Sequence, residues 1–124
     1  MIQTDIATAT ASVAGGRVYQ DGEVPENVSY PLVVFRGSHN PIMVLGGYSG
    51  LTISEYVFEC WGEDTATQSA KAVALATAAE LTTAIEAAQT TVLPSQWRLP
   101  SAGEDYDLAT LDQMEPVRFG FSHS

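Results

Sequence analysis

"ISEYVFECWGEDTATQSAKAVALATAAELTTAIEAA", residues 53–88, changes its period half-way, and that change sets the fold class. From Ile53 to Trp61 the residues alternate, as they do along a strand with one buried face. Tyr56, Phe58 and Cys60 fall on one side. Ile53, Glu55, Val57, Glu59 and Trp61 fall on the other. The first set reads as the core side. The second mixes apolar residues with two carboxylates, which predicts a half-wet face suited to a subunit contact or a lumen. The Ala-rich remainder has helical spacing. Thr65 and Gln68 form a capping-box pattern, and Glu63 and Asp64 stand where a helix dipole favours negative charge. A helix from 65 to about 88 would be about 36 Å long. Val73, Thr77, Leu81, Ala84, Ile85 and Ala88 make its apolar face, and its alanines permit close approach to a sheet. Pro94 bars a longer helix.

Outward from this stretch the pattern continues. Ile2, Ile6, Ala9 and Val13 recur at helical spacing until Gly15-Gly16 interrupts them. Arg17 to Tyr19 reads as a short strand and residues 20–29, with Asp-Gly and Pro25, as an irregular arm. Pro31 through Arg36 reads as a strong strand. "GSHNPIMVLGGYSGLT", residues 37–52, admits two readings: a hairpin with a Gly-rich tip, or a loop that orders against a partner. Beyond the long helix, strands are expected at 96–99, 107–113 and 117–121, with Val117, Phe119 and Phe121 on one face. The order predicts one α+β domain over residues 1–124, with a mainly antiparallel sheet and the helices packed on it.

The chain of 124 residues carries a net charge of −10, with five scattered basic residues. Gripping phosphates requires clustered Lys or Arg, so charge-driven binding to DNA or an anionic membrane is not expected. Solubility, and DNA sliding past without sticking, both fit such a charge. The single cysteine, Cys60, excludes an internal disulfide and reads as a buried thiol. No stretch has the composition of a signal peptide or a membrane span. The simplest location is a cytoplasm, or a particle assembled in one.

Chemistry has little footing in the sequence. His39 and His123 lack further ligands at metal-binding spacing, and no HxxxH or CxxC is present. No phosphate-binding Gly loop or nucleophile elbow occurs. Glu55 and Glu59 would stand about 13 Å apart along a strand, too far for joint acid/base work. Glu104, Asp105 and Asp107 are too few and too irregularly spaced for a calcium loop. The expectation is a protein without cofactor, metal or enzymatic activity.

The order of segments resembles the tail terminator, or tail completion, proteins of long-tailed phages and gene transfer agents. That resemblance rests on Gly16, Arg17, Val18 and Tyr19, on Tyr30 to Val34, on "YVFECWGED", on the Ala-rich helix and on the closing strands. It implies a structural virion protein at the head-proximal end of the tail. There a ring, usually of six subunits, caps the tail tube, ends its polymerisation and joins it to the head connector, and DNA passes through. In that picture Glu55, Val57, Glu59 and Trp61 serve a ring or lumen interface. Ile42, Met43, Val44, Leu45 and Tyr48 are candidates for axial contact with the tube or connector. A connector stopper, a tail tube subunit, and a small enzyme or ligand-binding domain are the competing readings.

Overall fold

The computed structural model describes residues 2–100, 105–106 and 113–123, the side chains at 44, 48, 105 and 106 excepted. Helix α1 (Ile2–Ala9) comes first, followed by strand β1 (Val18–Gln20) and the hairpin of β2 (Leu32–Val44) and β3 (Gly47–Gly62). Helix α2 (Ala70–Ala87), β4 (Gln96–Leu99), β5 (Asp105–Tyr106) and β6 (Gln113–His123) complete the chain. The sheet has the order β1-β2-β3-β6-β4, with β5 also paired to β6. Among the described strands only the β1–β2 pairing is parallel. This is the expected α+β architecture, with α2 on one face of a mainly antiparallel sheet.

Alternation builds the core. Tyr56, Phe58 and Cys60 of β3 are buried, as are Val33 and Phe35 of β2 and Val117, Phe119 and Phe121 of β6. They pack against Leu81 and Ile85 of α2 and Ile2 and Ile6 of α1. Aromatic rings run through the middle, with Tyr56 and Phe121 centroids 6.0 Å apart and Phe58 and Phe119 6.4 Å apart. Burying side chains of this size contributes about 1.5–3 kcal/mol each, and such a continuous cluster anchors the domain.

The helix boundaries differ from the sequence expectation. Residues Thr65 to Gln68 form a turn rather than the first helical turn: the Thr65 hydroxyl accepts from the Gln68 amide at 3.0 Å. Helix α2 starts at Ala70, capped by Ser69, whose Oγ accepts from the Ala72 amide at 3.2 Å. Asp64 does act at this helix start, through a carboxylate oxygen 2.7 Å from the Ala70 amide. A short 3-10 turn, Ala88–Thr90, follows α2. Helix α1 stops at Ala9, short of Gly15-Gly16. Thr8 and Thr10 return their hydroxyls to the carbonyls of Thr4 and Ile6, a bond that weakens the helical ladder. The chain then turns through Val13–Gly16 with Ala14 at φ 52°. Glu80 of α2 holds this turn, accepting from the Ala14 amide at 2.7 Å.

The stretch 37–52 is the hairpin of the first reading. Strands β2 and β3 stay paired out to Val44 and Gly47, joined by Leu45-Gly46, with a register shift between Pro41 and Met43. Gly47 sits at φ 115°, where a side chain would be strained. The irregular arm expected at 20–29 spans residues 21–31: Gln20 extends β1, and Pro31 precedes β2, which the chain enters through a cis Tyr30–Pro31 bond. Of the strand expected at 107–113, residues 107–112 lie outside the described residues and Gln113 opens β6. Glu104 and Asp107 of the acidic loop also lie outside them.

Candidate functional site

Because successive residues of a strand face opposite ways, burying Tyr56, Phe58 and Cys60 turns Ile53, Glu55, Val57, Glu59 and Trp61 to the sheet's other face. All five are half-buried. The core cluster draws both helices to the opposite side, so no described helix packs here. The strand pairing brings Arg36 of β2 and Arg118 of β6 level with Val57. Each arginine reaches a carboxylate of β3. Arg36 donates to Glu59 at 2.6 Å, and Arg118 lies 3.7 Å from Glu55. Asp21 approaches Arg36 at 3.9 Å. A shallow hollow lies between these charges, lined by Arg36, Ser38, Glu55, Val57 and Arg118. Sequence reasoning grouped the two glutamates but missed the two arginines, which come from other strands, far from their partners along the chain. The face therefore carries mixed charge, two arginines among three carboxylates, rather than being purely acidic.

The residues singled out for axial contact share one end of the molecule. Ile42, Met43 and Val44 belong to β2, Leu45 to the turn and Tyr48 to β3. Met43 and Leu45 are strongly exposed, at 65% and 111% of their reference areas. Leu51, on the returning strand, is also exposed. The hairpin end thus presents apolar side chains to solvent.

One polar cluster was not legible in the sequence. Ser54 Oγ stands 2.6 Å from His39 Nδ1 and 2.7 Å from His123 Nε2. The hydroxyl has one hydrogen, so it donates to one ring at most, and the imidazole tautomers set the direction of each bond. The three residues are widely separated in sequence and meet only because β3 lies between β2 and β6. His39 also sets its ring edge-on to Tyr56, with centroids 5.8 Å apart. A serine between imidazoles invites comparison with a nucleophile and its base. Ser54, however, is 0% exposed, so its oxygen cannot reach a substrate carbonyl. The cluster acts as a tie across three strands.

Cys60 is fully buried. Burial pushes its thiol up to about 12, Glu115 adds to the rise, and Arg98 works against it. The thiolate is the reactive form, so Cys60 is inert at neutral pH. It also lies about 20 Å along β3 from Ser54, which separates it from His39. Among the described residues no three His, Cys, Asp or Glu side chains group as metal ligands, and no helix is long and apolar enough to cross a membrane. No family model and no curated protein sequence matches the chain.

Proposed function

We propose that this chain is a structural subunit of a phage tail, a terminator that forms a ring on the tail tube, ends tube growth and joins the tail to the head connector. The observation that carries this reading is the division of the sheet. One face is sealed by the helices, while the face bearing Glu55, Val57, Glu59 and Trp61 is left half-buried and uncovered by them. A surface of that kind suits contact with other subunits, or the bore of a ring. The exposed Met43 and Leu45 give the hairpin end an apolar tip for axial contact with the tube or connector. Because Arg36 and Arg118 offset Glu59 and Glu55, repulsion of passing DNA would come from the rest of a chain whose net charge is −10.

A second reading, a tail tube subunit, draws support from the length of the β2–β3 hairpin, whose strands have 13 and 16 residues. Long hairpins suit a subunit that builds a continuous tube wall. Particles assembled without this protein separate the two readings. Free heads beside joined-up tails of abnormal length fit a terminator. Heads with no tails at all fit a tube subunit. Normal joined particles contradict both.

A further inference from the structure

Among the described residues the sheet has two open edges, and the strand registers show that they match. In β2 the Val33 amide donates to Arg17 and the Phe35 carbonyl accepts from Asp21. Odd-numbered residues of β2 therefore turn their backbone groups away from β3. Pairing with β1 ends at Phe35, so Gly37 and His39 point theirs out with no described strand against them. Pro41, the next outward residue, has no N–H to offer. At the far edge Ser95 gives its carbonyl to the Ser122 amide of β6, so Gln96 and Arg98 of β4 point outward. Pro94 and Pro100 bound that edge on both sides. Each edge thus offers two complete residues and then stops.

The same two positions stand level across the sheet. One row runs Gly37, Tyr56, Phe119, Arg98, and the next runs His39, Ser54, Phe121, Gln96. Both rows face the helix side. We propose that the β4 edge of one copy pairs antiparallel with the β2 edge of the next, Arg98 against Gly37 and Gln96 against His39. The four residues would exchange backbone hydrogen bonds in the hydrogen-bonded type of antiparallel pair. The pleat and the helix side continue unbroken from copy to copy. A slip of two residues in either direction leaves one such pair and sets a proline, or the already bonded Phe35, against the other residue. The contact joins two different patches, so it repeats head to tail. It rests on the reading of the chain as a ring subunit and specifies which edges close that ring.

The register supplies its own probe. Asn40 and Ser95, both exposed, would face each other as a non-hydrogen-bonded pair, with Cα atoms about 4.5 Å apart, within disulfide range. Within one chain they are three strand spacings apart, about 14 Å, too far to bridge. Oxidation of the Asn40→Cys, Ser95→Cys double variant is expected to give a ladder of covalent multimers. Mixing the Asn40→Cys and Ser95→Cys single variants should give only a heterodimer, linked from position 40 of one copy to position 95 of the other. Arg98→Pro removes the outward N–H at a position where an edge strand tolerates proline. It should raise the concentration needed for assembly by about tenfold per contact, while Arg98→Ala, which keeps the N–H, assembles as the parent does. If the parent chain forms rings but the double variant stays unlinked and Arg98→Pro assembles normally, the edge pairing is wrong and the ring reading stands. A homodimer of the Asn40→Cys variant, bridged through position 40 of both copies, likewise overturns the pairing. A parent chain that stays monomeric, with no crosslinks in the double variant, sinks both.

Discussion

Replacing Gly62 by alanine tests how α2 is seated on the sheet. Gly62 ends β3 where the chain passes under the first turn of α2. A Cβ there would lie 2.7 Å from the Ala70 carbonyl oxygen, 2.7 Å from the Ala74 amide nitrogen and 2.9 Å from Val73 Cβ. Favourable carbon contacts lie at about 3.5–4.0 Å, so the helix start would have to retreat by close to an ångström. Two of the three obstacles are backbone atoms, which no rotamer change can move. Overpacking of this kind costs about 1–3 kcal/mol. For a chain of this length 1 kcal/mol corresponds to roughly 3–5 °C in Tm, so Gly62→Ala should melt about 3–15 °C lower. Thermal unfolding followed by circular dichroism reads this directly. It should be run at several protein concentrations, because self-association raises Tm by mass action. Gly46→Ala is the control: its Cβ would meet nothing within 4 Å, and Tm should hold. A Gly62→Ala protein that melts with its parent would refute this account of helix seating.

Other outcomes follow from the polar groups. Cys60 has its folded-state pKa raised, so the stability linked to its protonation is complete below about pH 9 and is lost as pH climbs toward 12. Desolvation of Tyr56 acts in the same direction above pH 10. Urea titrations across that range should show stability falling with pH, less steeply in Cys60→Ala. Thiol reagents at about pH 8 should label Cys60 only after unfolding. Ser54→Ala removes the hydroxyl that links His39 and His123; His39 is exposed and can turn to water, so the cost should be about 0.5–1.5 kcal/mol. A fluorophosphonate probe should leave the buried Ser54 unlabelled, and labelling would show it to be a reachable nucleophile. Glu59→Gln weakens an ion pair whose arginine is half exposed, so its cost should stay below about 1 kcal/mol by double-mutant cycle with Arg36.

The elements legible in the sequence were those whose burial pattern has a period. Alternation from Ile53 to Trp61 and at Val117, Phe119 and Phe121 revealed both the strands and the face each presents. The helical face of Val73, Thr77, Leu81 and Ile85 was equally clear, because apolar residues recur there at helical spacing. Legibility failed where local chemistry had two uses. Thr65 and Gln68 match a capping box, yet they close a turn, and Ser69 holds the cap instead. The glycines, Asn40 and Pro41 of stretch 37–52 weaken strand propensity, and only pairing of the two halves with each other decides for a hairpin. The charged face shows a further limit. Glu55 and Glu59 could be placed on one side of β3, but their partners Arg36 and Arg118 arrive through sheet order, which no local pattern encodes. Ser54 joins His39 and His123 for the same reason.

Native mass spectrometry of the purified chain, alone and with isolated tail tubes, tests the central claim most directly. A terminator should appear as one closed assembly of defined stoichiometry, a fixed multiple of 13.2 kDa, that binds tube ends and halts their extension. A chain that remains a monomer at every concentration, and leaves tubes growing in its presence, would contradict it.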